Sequence, residues 1–255
     1  TLLTVGIVLG ARWAYLELGW GGYWAWDPVE NASVIPWLAG AAALHSGLRR
    51  HGSERAGLRG LSLLLATYAF SLFGTYLTRS GAVTSVHAFA ASNIGNVLGA
   101  AIFAVVFASC GVIVWRLPEI RSTRSKRTGR GVVYTLMITT FVVMALAVWW
   151  GTVYPLFARA LLKQEIFVTP GFFRVVVTPM AVFLLVLLAF APVMRAADRR
   201  TKVRLLAVRL AVVVAVAAAI LISDSAVPGA ACVAAIAAAA AWSVIEGMLQ
   251  TWADP

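Results

Sequence analysis

The 255-residue sequence is poor in charged side chains, cysteine and histidine, and each shortage excludes a class of protein. Only 12% of the residues are charged and 61% are hydrophobic, a balance that fits neither a water-soluble enzyme, a coiled coil nor a disordered chain. Long apolar stretches take the place of the missing charges, and a bilayer-spanning helix needs about 20 mostly apolar residues in a row. The composition therefore predicts an integral membrane protein.

The chain has only two cysteines, Cys110 and Cys232, and both lie inside apolar stretches. They form no CxxC, CxxCH or zinc-type spacing, so the sequence contains neither a thiol-exchange motif nor a site for covalent haem attachment to itself. We expect both to be small buried hydrophobes. The sequence opens directly on an apolar stretch at Thr1 without a signal-peptide pattern, which indicates a piece of a longer protein.

Eight apolar stretches are long enough to cross a membrane, and short polar or basic connectors separate them. They cover residues 1–18, 34–49, 60–78, 93–116, 132–152, 174–194, 205–222 and 229–248. Lipid offers a backbone no hydrogen-bond partners, so each spanning segment must pair with itself. We therefore expect an all-α, polytopic transmembrane helical bundle of about eight spans.

The basic residues are concentrated in three connectors. Sixteen of the 21 lysines and arginines lie within 49–59, 116–130 and 195–209. The connectors between them, 19–33, 79–92, 153–173 and 223–228, hold few basic residues or none. This alternation is typical of cytoplasmic loops that are rich in lysine and arginine. The net charge of +11 thus predicts orientation, with both ends of the sequence cytoplasmic, and gives no indication of nucleic acid binding.

One outward connector is rich in tryptophan: residues 20–33 read WGGYWAWDPVENAS, and five of the ten tryptophans lie between residues 13 and 37. An aromatic belt at the membrane interface is one explanation. The other is a flat, apolar, partly charged ligand, because the neighbouring glycines let a backbone approach a planar molecule closely. Within the segment, Asp27, Pro28 and Glu30 form a variant of the capping box that starts a helix.

The three histidines differ in their surroundings. Neutral imidazole is the usual axial ligand of a metal macrocycle. His45 lies near the cytoplasmic end of a span, as a ligand or as a hydrogen-bonded helix-end residue. His87 lies in an outward connector, as a ligand or as a solvated loop residue. His51 lies among arginines and receives no role. Arg79, also outward, either binds an acidic group such as a propionate or extends to the interface.

Three motifs in order resemble the CcmF family, the membrane haem lyases of cytochrome c maturation within the superfamily named for its Trp-Trp-Asp (WWD) segment. They are WGGYWAWDPVENAS followed by PWL, then ALHS, then GTYLTRSGAVTSVHAFA. WGTVYPLF and TPGFF further along are similar to the same family, so the resemblance covers residues 1 to about 200. DPVENAS is similar to the lyase branch, whereas a length of 255 residues suits the branch that loads haem onto a carrier chaperone.

The resemblance implies roles for particular residues. The haem-binding segment would consist of Trp20, Gly21, Gly22, Tyr23, Trp24, Trp26 and Asp27, together with Arg79. His87 would be an external axial ligand, and His45 a transmembrane ligand of a stable haem b. The implied cofactors are thus two haems b, one internal and one handled as substrate. The family pairs each of these histidines with another that this sequence lacks, so we expect the chain alone to hold either haem incompletely and to be inactive by itself.

The implied activity is that of a holocytochrome c synthase component in the bacterial cytoplasmic (inner) membrane, with the WWD segment facing the periplasm or cell exterior. It would attach haem through thioether bonds to the CxxCH motif of apocytochrome c. The implied partners are that polypeptide, a haem chaperone, other maturation proteins and the bilayer, without nucleic acid.

Residues 1–115 would form the haem-handling core, and residues 116–255 would form further spans with the outward connector 153–173. A haem-delivery scaffold without chemistry is the alternative. A solute transporter predicts inverted repeats, and we see none clearly.

Overall fold

A computed structural model describes residues 2–18, 22–48, 54–83, 85, 94–121, 129–195 and 199–222. Its regular structure within these ranges is entirely helical. The helices are α1 (Leu2–Glu17), α2 (Pro28–Leu48), α3 (Glu54–Arg79), α4 (Ile94–Arg121), α5 (Gly129–Phe157), a π-helical turn (Ala158–Leu162), α6 (Pro170–Arg195) and α7 (Arg199–Ile222). The predicted all-α architecture is confirmed for these residues. The stretch predicted at 229–248 lies outside them.

Four segments of the described helices are long and apolar enough to cross a membrane. They are Gly57–Arg79, Ile94–Pro118, Val132–Leu162 and Pro170–Ala189. The multi-pass character therefore holds, and a total of about eight spans stays a prediction. Helix ends differ from the predicted spans by several residues: α2 begins at Pro28 instead of 34, and α6 at Pro170 instead of 174. Hydropathy locates the apolar part of α2, whereas its hydrogen-bonded turns continue into the polar residues 28–33, and the difference at α6 is of the size usual for helix ends.

The chain forms two compact units. The first comprises Thr1–Lys126 and Ile138–Val177. Within it α2 packs against α1 and α3, and α3 packs against α4. The contact between α2 and α3 depends on Gly74, where a Cβ atom would lie 3.0 Å from the carbonyl oxygen of Ala32. Small residues of this kind let membrane helices approach closely.

Helix α4 presents large apolar side chains away from the rest of its unit. Phe103 and Phe107 are each 74% exposed and Trp115 is 75% exposed, as expected for a helix in contact with lipid. Cys110 is exposed on the same helix. The prediction that Cys110 is buried is therefore wrong. A small apolar thiol is compatible with both lipid and a protein core, so the sequence alone does not distinguish a lipid-facing cysteine from a buried one.

The second unit comprises Arg127–Met137 and Thr178–Pro255. Its most unusual described side chain is Arg209 on α7, which is 1% exposed. The guanidinium Nε donates a hydrogen bond of 2.6 Å to the carbonyl of Ala189 on α6, and Nη1 donates one of 2.9 Å to the carbonyl of Leu205. A buried polar side chain is costly unless hydrogen-bond partners satisfy it. Carbonyl oxygens provide such partners here and join α6 to α7.

Candidate functional site

The tryptophan-rich segment is fixed to the start of α2 by the capping box that the sequence predicts. The backbone N–H of Val29 donates to Oδ2 of Asp27 at 3.0 Å. Oε2 of Glu30 in turn accepts from the backbone N–H groups of Asp27 at 3.1 Å and Ala25 at 2.9 Å. These bonds satisfy free donors around the helix N-terminus. The capping prediction is thus confirmed, and residues 25–27 have one defined geometry.

Trp26 occupies a backbone conformation that bulky residues rarely adopt. Its φ of 60° lies in the left-handed region, which costs about 1–3 kcal/mol for such a residue. Its carbonyl accepts a hydrogen bond of 3.2 Å from Nδ2 of Asn31. Its ring stacks on Phe173 with centroids 5.2 Å apart and planes 6° apart, and Trp24 meets it edge-on at 6.0 Å and 85°. Surrounding contacts therefore hold a strained residue so that its indole faces a defined direction.

Phe173 reaches Trp26 because α5 has no side chain in the way. A Cβ atom on Gly151 would lie 2.7 Å and 2.9 Å from atoms of the Phe173 ring. Real Cβ contacts essentially never come that close, so only glycine fits without displacing the ring. Gly151 belongs to WGTVYPLF and Phe173 to TPGFF. The structure therefore brings these two distant motifs against the WWD segment.

The remaining residues of the segment are described in part. Gly22 and Tyr23 precede Trp24, and Tyr23 stacks on Tyr15 of α1 with centroids 4.4 Å apart. Nε1 of Trp24 is buried and has no hydrogen-bond partner within the described part of the chain. Trp20 and Gly21, both predicted to bind haem, lie outside the described residues. The described part of the segment thus contains an unmet buried donor next to the stacked rings.

Asp27 also joins the segment to the chain that follows α3. Its Oδ2 accepts a hydrogen bond of 2.6 Å from Oγ of Ser85, 58 positions away in sequence. Arg79, predicted to bind an acidic group, is exposed at the end of α3. His87 lies outside the described residues, two positions beyond Ser85. The GAVTSVHAFA motif is therefore anchored to the WWD segment at Ser85.

His45 lies at the other end of α2 from the tryptophans. His45 lies 17 positions after Pro28 in the same helix, which is about 25 Å along the axis. Its Nδ1 lies 2.8 Å from the carbonyl oxygen of Ala41. Because a carbonyl only accepts, we assign the ring proton to Nδ1, which leaves the Nε2 lone pair available. The ring of Phe141 packs 5.3 Å from the imidazole. The structure thus places His45 and the WWD tryptophans Trp24 and Trp26 at opposite ends of α2.

A cavity of about 280 Å³ opens beside the Trp26–Phe173 stack. Its lining comes from the starts of α2 and α6, the end of α5, the chain after α3 and the connector before α6. The residues are Trp26, Pro28, Asn31, Ala82, Val83, Gly151, Thr152, Pro155, Leu156, Arg159, Glu165, Ile166, Phe167, Val168 and Phe173. No site role was predicted for residues 151–173. The available signal was the similarity of WGTVYPLF and TPGFF to the family motifs.

A second cavity, of about 210 Å³, lies between α1 and the start of α2. Trp13, Trp24 and Glu30 line it together with small and aliphatic residues. No group of three or more histidine, cysteine or acidic side chains that could hold a metal ion occurs among the residues with described placement.

Comparisons with known proteins identify the family of the chain. A family model described as cytochrome C assembly protein matches residues 1–85. The CycK biogenesis protein of Rhizobium meliloti (strain 1021) is 40% identical over 199 residues, 76% of this chain and 29% of that protein. The CcmF biogenesis protein of Escherichia coli (strain K12) is 41% identical over 207 residues, 79% of this chain and 32% of that protein.

A solved structure titled "Cytochrome c Heme Lyase CcmF" aligns with a TM-score of 0.67 and 27% identity. The alignment covers 97% of this chain and 38% of that one. This chain thus spans about three tenths of the curated relatives it matches, at 29% and 32% of their lengths. From the motifs, the sequence identity and the shared helical structure we conclude that the chain belongs to the CcmF family of cytochrome c-type biogenesis proteins.

Proposed function

We propose that this chain is the haem-handling part of a haem lyase. It holds haem at the outer membrane face while two cysteine thiols of a CxxCH motif on apocytochrome c add to the two haem vinyl groups. The observation that carries the proposal is the pair of indoles at the α2 N-terminus, with Trp26 flat against Phe173 and Trp24 perpendicular to it. A planar apolar macrocycle is bound by such rigid aromatic surfaces.

Polar groups around the indoles suit the rest of the haem. The buried Nε1 donor of Trp24 matches an acceptor such as a carboxylate. Arg79 is the candidate cation for a propionate. The bond between Ser85 and Asp27 supports a role for His87 as the axial ligand, since it fixes the chain two residues before His87 beside the WWD segment. Trp20, Gly21, Gly22 and Tyr23 complete the proposed shelf.

His45 is proposed as one ligand of a second, internal haem b. Ligating histidines generally donate their other ring N–H to a carbonyl or carboxylate, which fixes the tautomer and ring orientation. The contact between Nδ1 of His45 and the Ala41 carbonyl has that form. Bound there, haem b would supply one-electron chemistry. His45 would hold the iron through Nε2, and Phe141 would restrict the imidazole ring.

The protein contributes positioning to thioether formation. Each thiol adds across a vinyl double bond: the S–H bond and the vinyl π bond break, one C–S and one C–H bond form, and no net redox change occurs. Because the thiols come from the apocytochrome, the chain needs no reactive cysteine of its own. A fixed aromatic shelf and a fixed axial ligand restrict the relative motion of the reactants, which can remove several kcal/mol from a barrier. The partners would be the apocytochrome, a haem chaperone and other maturation proteins in the bacterial inner membrane.

A haem-delivery scaffold would use the same indoles and histidines without forming a bond, so the covalent product separates the two functions. The test uses the full-length protein co-expressed with its maturation partners. We expect thioether-linked haem to appear on an apocytochrome c in a denaturing gel. If the full-length protein binds haem and the linked cytochrome never increases above the deletion background, the lyase proposal is wrong and the scaffold remains.

Histidine variants of the same protein test the two sites separately. We expect His87→Ala to remove the absorbance of the outer haem and retain that of the inner one, and His45→Ala to do the reverse. His51→Ala is the matched control, because His51 has no assigned role and should change neither. An unchanged spectrum for His87→Ala or His45→Ala would contradict the role of that histidine.

A further inference from the structure

The cavity beside Trp26 and Phe173 has a segment of irregular backbone along one wall. Glu165, Ile166, Phe167 and Val168 line it and belong to no helix or strand. Neighbouring backbone bonds run from Gln164 N–H to the Ala158 carbonyl and from Phe172 N–H to the Thr169 carbonyl. Within the described structure, residues 165–168 make no such bond. Backbone N–H and C=O groups without an internal partner can form hydrogen bonds with the main chain of a second polypeptide.

Two residues of the inner wall of the same cavity, Asn31 and Thr152, carry hydrogen-bond acceptors. Asn31 is 1% exposed, and its Nδ2 is committed to the Trp26 carbonyl, which fixes the amide orientation because a carbonyl only accepts. The Oδ1 atom is buried and has no partner within the described part of the chain. Thr152 is 3% exposed, and its hydroxyl donates to the Val148 carbonyl at 2.7 Å, so its lone pairs remain. An unmet buried acceptor costs about 1–3 kcal/mol. A molecule that brings a donor recovers that free energy.

A wall with hydrogen-bond acceptors does not match the propionate edge of haem. Haem propionates are carboxylates at neutral pH and only accept hydrogen bonds, so an acceptor wall repels them. Arg159 and Glu165 add one charge of each sign to the lining, which favours a zwitterionic chain over a dianion. The volume of about 280 Å³ lies at the lower end of ligand pockets, too small for a whole macrocycle with its side chains.

We propose that this cavity docks a stretch of the polypeptide substrate, bound in extended form beside the haem shelf. Its main chain pairs with residues 165–168, and it presents N–H or S–H donors to Asn31 and Thr152. The inference rests on the proposed function, because that function supplies a polypeptide that must come within bonding distance of the haem. The porphyrin then lies on the indoles, and the peptide enters from the side of α5 and α6.

The first test measures binding of a synthetic, fluorescently labelled peptide with one CxxCH motif to the full-length protein in lipid nanodiscs. Thr152→Val removes the acceptor and keeps the branched shape, while the helical N–H still satisfies the Val148 carbonyl. Thr139→Val, on the exposed side of the same helix, is the matched control. We expect Thr152→Val to raise the peptide Kd about threefold to tenfold. The haem absorbance should not change, and Thr139→Val should change neither quantity.

The second test maps the contact without relying on a loss of affinity. Phe167, 78% exposed, is replaced by photoreactive p-benzoylphenylalanine, and the same replacement of Phe103 on the lipid-facing helix is the control. We expect illumination to link the peptide at position 167 and not at 103.

The two tests also separate this inference from the haem-lyase proposal. An unchanged peptide Kd for Thr152→Val, a fall in haem content instead, or no crosslink at position 167 each overturns the peptide site. Any of these results, obtained with a protein that still forms linked cytochrome, leaves the lyase proposal standing.

Discussion

At the scale of single residues, Asp27 has two structural roles, and only one of them could be predicted from the sequence. It caps α2 through Val29, and it receives the hydroxyl of Ser85. The cap could be predicted because all its members lie within four residues of one another. The bond to Ser85 could not, because it depends on how α3 returns the chain to the start of α2. Asp27 is therefore both the start of a helix and a link between two motifs.

Replacing Asp27 by alanine removes both interactions. We expect Asp27→Ala to lower the free energy of unfolding by about 1–2 kcal/mol, as for other lost N-caps. Thermal unfolding of the detergent-solubilised protein measures this. Ser85→Ala is the comparison, since it removes the loop bond and keeps the cap, and its effect should be smaller. Equal losses in the two variants would mean that the cap contributes nothing.

Gly151 is the second residue at which a single substitution should have a large local effect on packing. Alanine there places Cβ 2.7 Å from the Phe173 ring, and overpacking of this kind typically costs about 1–3 kcal/mol. We expect Gly151→Ala to lower the unfolding midpoint and to reduce haem capture by displacing Phe173 from Trp26. Gly111→Ala is the control, because nothing lies within 4 Å of a Cβ atom there. If Gly151→Ala behaves like Gly111→Ala, Phe173 does not depend on that close approach.

At the scale of elements, sequence reasoning located the helices better than their ends. The apolar span that corresponds to α2 was predicted to begin at residue 34. The capping box already indicated a start at Pro28, where the helix begins. The contribution of the 153–173 connector to a site was missed. The connector contains a π-helical turn and Lys163 with a left-handed φ of 56°. The residues that follow line the cavity beside Trp26. Hydropathy does not report such backbone turns. Pairings between distant segments carry no local signal in a single sequence.

The connectors give an element-scale prediction of orientation. In a background with Cys110→Ala and Cys232→Ala, single cysteines are introduced as Gly22→Cys, Lys163→Cys and Arg200→Cys. We expect a membrane-impermeant maleimide to label the first two in intact cells, because their connectors are poor in basic residues, and Arg200→Cys only after permeabilisation. The reverse labelling pattern would place the tryptophan segment on the cytoplasmic side and contradict the proposed site of haem attachment.

At the scale of the whole molecule, composition and motifs predicted the membrane class and the family, and both are confirmed. The chain has two compact units, and the residues proposed to bind haem and both histidine-containing motifs lie in the first. Composition could not locate that division, because α5 and α6 are apolar on both sides of it. The eighth predicted span and His87 lie outside the described residues, so their roles rest on the family resemblance.

The central claim is that haem lies against the Trp26–Phe173 stack. Trp26→Gly tests it most directly, because glycine accepts the φ of 60° without strain and only the ring is lost. The measurement is the reduced-minus-oxidised absorption spectrum of the full-length protein from haem-replete cells, with Phe103→Ala as the lipid-facing control. The account predicts that Trp26→Gly loses the outer-haem absorbance and keeps the inner one, while Phe103→Ala matches the wild type. An unchanged outer-haem spectrum in Trp26→Gly would contradict it.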